Sequence, residues 1–193
     1  MPIRHQIARV GWLLSPYRLV GGRVPHEAGI ILGAPHTSNW DFIAFLGVAW
    51  HERIALKVLI KQSWLRGPVG SVLRWFGGIG VDRENPAGFV DELVALAGRG
   101  QQFQLVIAPE GTRSPGTHWK SGFYRIARQA QLPVTLIGID HPRREVEIGP
   151  TIHLSGDVRA DMDRVREFYS RFAGVRPGNR TEPRLRDEDR PSR

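Results

Sequence analysis

The chain has no cysteine among its 193 residues. That excludes a disulfide framework, a thiolate metal site and a cysteine nucleophile. It also has no uninterrupted run of about 18 apolar residues, the length a membrane-crossing helix needs. The segment from Ala28 to Trp50 comes nearest, and His36, Asn39 and Asp41 break it in the middle. The amino end lacks the apolar core and small-residue cleavage site of a secretory leader, so no signal peptide is expected. Acidic residues are missing from the start: Arg4, Arg9, Arg18 and Arg23 all precede the first of them, Glu27.

What is present is a strongly basic chain of single-domain length, with a formal net charge of +8. Such a balance favours an anionic partner, whether nucleic acid, an acidic membrane surface or a phosphorylated substrate, without choosing among them. Ile3, Ile7, Val10 and Leu14 fall on one helical stripe with Arg4 and Arg9 outside it and Pro16 as a stop. A stripe of that kind must be covered. Packing on its own domain and lying on anionic lipid are both open, and Trp12 and Tyr17 suit either.

Further along, apolar runs of strand length alternate with helix-period segments. Strands are expected at 30–34, 55–60, 79–81, 103–108, 134–139 and 146–152. Helices are expected after Asp41 and over 69–76, 86–96, 123–130 and 160–172. Asn85 and Pro86 open one helix as N-cap and first-turn pair, and Gly98 and Gly100 close it. The alternation predicts an α/β fold: a single layered domain with a central, mostly parallel sheet flanked by helices. The organisation read from this is an amphipathic N-terminal helix over 1–24, a domain over 25–175 and a disordered polar tail over 176–193, where proline, arginine and acid occur without apolar period.

Pro35 to Asp41, reading P-H-T-S-N-W-D, places a histidine and an aspartate five positions apart. On a continuous helix that separation is about 140° around the axis, so the two side chains meet only across a junction. A strand before it and the N-cap candidates Thr37, Ser38 and Asn39 supply one. His36 is then expected on the loop and Asp41 in the first helical turn, an arrangement suited to a base and its orienting carboxylate. Two further strands end in polar residues, Asp82-Arg83 and Glu110-Gly111-Thr112-Arg113. In α/β sheets ligands collect beyond such carboxyl ends. Gly111 permits close backbone approach, and Arg83 and Arg113 carry forked donors matched to phosphate.

The order H-T-S-N-W-D, I-G-V-D-R, P-E-G-T-R-S and L-P-V-T-L-I, spanning roughly Ile30 to Leu154, resembles the four blocks of the glycerolipid acyltransferases, the family of bacterial 1-acylglycerol-3-phosphate acyltransferase. The resemblance implies transfer of a fatty acyl group from a thioester, acyl-CoA or acyl carrier protein, to a hydroxyl of a lysophospholipid. It implies His36 and Asp41 as catalytic residues. Arg83, Glu110, Gly111, Thr112, Arg113 and Lys61 are implied to bind the acceptor. Neither a metal nor a resident cofactor is implied; the thioester is a co-substrate. The chain departs from the family pattern at Pro35, Gly80 and Leu136, changes that bear on the acceptor more than on the chemistry.

The expected partners are therefore a lysophospholipid, an acyl thioester and an anionic membrane surface rather than nucleic acid. The expected location is cytoplasmic, at the inner face of the cell membrane. Two other readings stand beside it. One is a metal-assisted phosphoester hydrolase with His36, Asp41 and Glu110 as ligands. The other is a non-catalytic basic module on lipid or nucleic acid.

Overall fold

The computed structural model describes residues 2–81 and 86–189. Six helices and seven strands follow in order: α1 (Pro2–Leu14), β1 (Arg18–Gly21), β2 (Gly29–Ala34), α2 (Asn39–His51), β3 (Leu56–Lys61), α3 (Gly67–Trp75), β4 (Gly78–Val81), α4 (Pro86–Gly98), β5 (Gln104–Ile107), α5 (Gly122–Gln129), β6 (Val134–Asp140), β7 (Glu145–Ile152) and α6 (Val158–Tyr169). They form one sheet of order β1-β7-β6-β2-β5-β3-β4. β6, β2, β5, β3 and β4 run parallel, whereas β7 is antiparallel to β6 and carries β1 parallel to itself at the edge. The mostly parallel sheet flanked by helices is the architecture the alternation of elements predicts. β1, too short to show a period, is an addition to it.

β2 lies at the centre and is buried along its whole length, as a strand covered on both faces must be. Its residues alternate between two cores. Ile30 and Leu32 join Phe103, Leu105, Leu136, Phe123 and Tyr169 beneath α4, α5 and α6. Ile31 joins Phe45, Val48, Ile137 and Ile148 on the α2 side. Each such side chain contributes roughly 1.5–3 kcal/mol. Gly33 is required by contact: a Cβ there would stand 2.6 Å from the Phe45 ring. The central strand and α2 therefore approach closely, which brings the start of α2 to the carboxyl end of β2.

α1 ends at Leu14, short of the residue 24 expected, because Arg18–Gly21 joins the sheet as β1, and the helix packs through a face other than its apolar stripe. Ala8 is buried, His5 Nδ1 lies 3.0 Å from the His51 carbonyl oxygen, and Trp12 Nε1 donates to the Gly47 carbonyl at 3.3 Å. The apolar stripe is left in solvent instead, with Ile3 73% and Leu14 81% exposed. Among the described residues no helix is long and apolar enough to cross a membrane.

The disordered tail expected from 176 onward is corrected for 176–189. Leu185 is buried and bridges to Trp119, whose backbone N–H donates to the Arg184 carbonyl at 2.8 Å and whose Nε1 donates to the Thr181 carbonyl at 3.1 Å. Glu188 accepts the Leu185 N–H at 2.6 Å and pairs with Arg166 at 2.6 Å. One leucine and a series of backbone hydrogen bonds hold this strap, and neither leaves a periodic signal in sequence.

Candidate active site

The segment between β2 and α2 is built from local capping chemistry. A cis Ala34–Pro35 peptide bond turns the chain out of the strand. Ser38 is the N-cap of α2; its hydroxyl accepts the Trp40 N–H at 3.2 Å. Asp41 stands at the third helical position and reaches back, its Oδ2 accepting the N–H groups of Thr37 at 2.5 Å and Ser38 at 2.6 Å. This reciprocal box satisfies donors that a helix start leaves free. It also fixes the Asp41 carboxylate under the loop that carries His36. The N–H groups of Thr37, Ser38 and Trp40 are thereby engaged within the segment.

His36 is partly buried, and its Nδ1 lies 3.7 Å from Asp41 Oδ2. That is adjacency without a hydrogen bond. His36 Nδ1 and Asp41 Oδ1 are both buried without a partner. Burial, and then the nearby Arg113 charge, hold the imidazole below its ordinary pKa. Burial pushes the Asp41 carboxyl up, opposed by the Ser38 and Thr37 N–H groups and by the charge of His141. A neutral imidazole, poised over a carboxylate that gains from its protonation, is equipped to remove a proton from a bound hydroxyl through Nε2.

β5 delivers the second component from the neighbouring strand. Glu110 is 3% exposed, and its carboxylate accepts the backbone N–H of His36 through Oε2 and that of Thr181 through Oε1 at 3.5 Å. Burial pushes this carboxyl up to about 7 despite those two donors. The Glu110 carboxylate thus ties the His36 loop to the segment at Thr181. Gly111 takes a positive φ of 69°, with the Lys120 side chain 3.1 Å from where a Cβ would stand. Thr112 and Arg113 follow on the exposed loop.

His36, Asp41, Glu110 and Arg113 are thus brought together at one sheet edge. Lys61 ends β3 at the same carboxyl edge, but its side chain lies outside the described residues, and so does all of Arg83. Among the described residues no three metal-ligating side chains gather as a metal site. Sequence reasoning missed two contributors. The strap touches the site twice, at Glu110 and where the Arg176 N–H donates to Thr37 Oγ1 at 3.0 Å. Tyr17 and His141, whose hydroxyl and Nδ1 hydrogen-bond to each other, stand near Asp41. Neither carries a motif by which sequence could single it out.

A groove of about 580 Å³ runs between α1 and α2. Ile7, Leu14, Trp40, Ile43 and Leu46 line it, together with Asp41, Tyr17 and His141. It opens onto the exposed apolar stripe of α1.

A family model described as Acyltransferase matches residues 18–140. No curated protein matches the chain. Among solved structures, the crystal structure of the 1-acyl-sn-glycerophosphate (LPA) acyltransferase PlsC from Thermotoga maritima is similar, with a TM-score of 0.60 and 16% identity, over 88% of this chain and 77% of that one. At that identity the likeness is one of fold.

Proposed function

Since the chain belongs to the acyltransferase family, we propose that it moves a fatty acyl group from an acyl thioester to a hydroxyl of a lysophospholipid, with His36 as general base. The observation that carries the reading is the pairing of a neutral-leaning imidazole with a buried carboxylate that itself lines an apolar groove. His36 Nδ1 faces Asp41, which leaves Nε2 for the acceptor. Nε2 takes the proton from the acceptor hydroxyl as its oxygen forms a bond to the thioester carbonyl carbon. The tetrahedral intermediate collapses, the carbon–sulfur bond breaks, and the thiolate leaves with the proton returned from the imidazolium. No covalent acyl-enzyme is needed. Asp41 balances the imidazolium charge, and Glu110 holds the loop on which His36 sits.

The acceptor phosphate is assigned to Arg113, together with Arg83 and Lys61. The charge of Arg113 reaches His36. The groove suits an acyl chain. Its opening lies beside exposed Ile3, Val10, Leu13 and Leu14 of α1 and exposed Trp40 and Ile43 of α2. With Arg4, Arg9, Arg18 and Arg23 on the same cationic segment, this face suits an anionic bilayer surface, entered from the cytoplasmic side.

The test is acyl transfer by the purified protein, with acyl-CoA and acyl carrier protein as alternative donors and a panel of lysophospholipids with and without an accessible phosphate. Transfer that disappears in His36→Ala supports the reading. Absence of transfer to every acceptor, or a His36→Ala variant as active as wild type, refutes it.

A further inference from the structure

Asp41 is a fully buried carboxylate with an incomplete set of partners. Two backbone N–H groups occupy Oδ2, Oδ1 has none, and the nearest imidazole nitrogen is 3.7 Å away. A buried carboxylate so placed is costly to ionise. Yet it must be ionised to balance a charge on His36.

A second imidazole, that of the exposed His141, lines the same groove as Asp41. His141 directly follows β6, which pairs with β2, so His36 and His141 leave adjacent parallel strands at the same edge. Tyr17, in the turn between α1 and β1, donates its N–H to Ser15 Oγ at 3.0 Å and is hydrogen-bonded through its hydroxyl to His141 Nδ1. The two ring centroids are 5.9 Å apart. Both side chains line the groove where it reaches Asp41. They flank the 18–140 segment matched by the family model, one residue outside it at each end.

We infer that Tyr17 and His141 are positioning residues: the His141 imidazole, steadied by the Tyr17 hydroxyl, keeps the Asp41 carboxylate charged and thereby supports His36 as the base. The charged and titratable groups around the carboxylate are His36 on its own loop, Glu110 beyond β5, Asp140 at the end of β6 and His141 just after it, and Tyr17 and Arg144 from the β1 side. Of these, His141 is the charge that favours ionised Asp41. Burial and the Asp41 charge raise the Tyr17 pKa, so its phenol stays neutral. A neutral phenol accepts a hydrogen bond from a protonated imidazole and donates one to a neutral imidazole, holding the ring in either state.

The inference rests on the assignment of His36 as base, and its test separates the two. The dependence of kcat/KM on pH is measured for wild type, His141→Gln, Tyr17→Phe and His36→Ala with one acyl-CoA and one lysophospholipid. Glutamine keeps a partner for Tyr17 and removes the charge. His141→Gln is expected to retain most activity near about pH 8 and to fall at least about threefold below wild type near about pH 6, with KM unchanged. Tyr17→Phe should move the same way by less. Superimposable profiles, a loss equal at every pH, or a change confined to KM would overturn the inference while leaving His36 in place. A His36→Ala variant that remains active removes the base assignment instead. Should circular dichroism show that His141→Gln does not fold, Tyr17→Phe, which deletes a single hydroxyl, decides by the same criterion.

Discussion

The carboxylate of Glu110, at the end of β5, accepts the backbone N–H of His36, at the end of β2. Two neighbouring strand ends are therefore tied to each other at the His36 loop by one side chain, with the strap at Thr181 as its other attachment.

Glu110→Ala leaves two buried N–H groups without an acceptor. The expected cost is about 1–3 kcal/mol of stability, with a fall in kcat larger than any rise in the acceptor KM. Urea unfolding and steady-state kinetics check it. An unchanged stability with a raised acceptor KM would show that Glu110 binds the acceptor after all.

The same carboxyl makes stability depend on pH. Its folded pKa, about 7, lies above the ordinary 4.5, so the folded state holds the proton more tightly. Its contribution is fully present below the ordinary value and is lost as pH rises through the folded one. The stability of wild type relative to Glu110→Gln should therefore decline from about pH 4.5 to about pH 7. A difference that stays flat or grows over that range contradicts the assignment.

Arg113 lowers the pKa of His36, second to burial. In Arg113→Gln the imidazole holds its proton to higher pH, so the acid limb of kcat/KM moves upward. His36 also acts on stability with the opposite sign from Glu110: its lowered pKa means that stability is lost as pH falls from the ordinary histidine value through the folded one. An acid limb that stays in place or moves down would remove Arg113 from the surroundings of His36.

Asp41→Asn keeps the shape of the capping side chain and loses its charge. The fall in kcat is expected to be about 10²–10⁴-fold, with little change in KM and about 1 kcal/mol of lost stability from the weakened cap. Rates near wild type would remove the carboxylate from the mechanism.

The exposed stripe of α1 should carry membrane contact. Ile3→Asp with Val10→Asp, two exposed stripe residues outside the groove lining, is expected to abolish sedimentation with phosphatidylglycerol vesicles while sparing transfer to dispersed short-chain acceptors. Undiminished vesicle binding would place the contact elsewhere.

The strap can be tested for order. Leu185 is 1% exposed, so Leu185→Ala should cost about 2–5 kcal/mol, as for other buried leucines. A cost near zero would restore the reading of 176–189 as a free tail.

Local sequence by itself determined the strands and helices and placed His36 on a loop with Asp41 in a first helical turn, because period, capping residues and apolar runs act over a few neighbours. It also determined the order of blocks that resembles an acyltransferase. Only tertiary structure decided what those residues face. The stripe of α1 left packing on its own domain and contact with lipid both open, and in the fold Ala8 and Trp12 take the packing, with the Trp12 indole hydrogen-bonded to the Gly47 carbonyl of α2. Pairing of β5 with β2 sets the Glu110 carboxylate on the His36 backbone, a contact across 74 positions of chain. Tyr17 and His141 are 124 positions apart in the chain and meet only because β1 begins at the edge of the sheet where β6 ends. Contacts at such separation depend on strand order, and no local pattern encodes it.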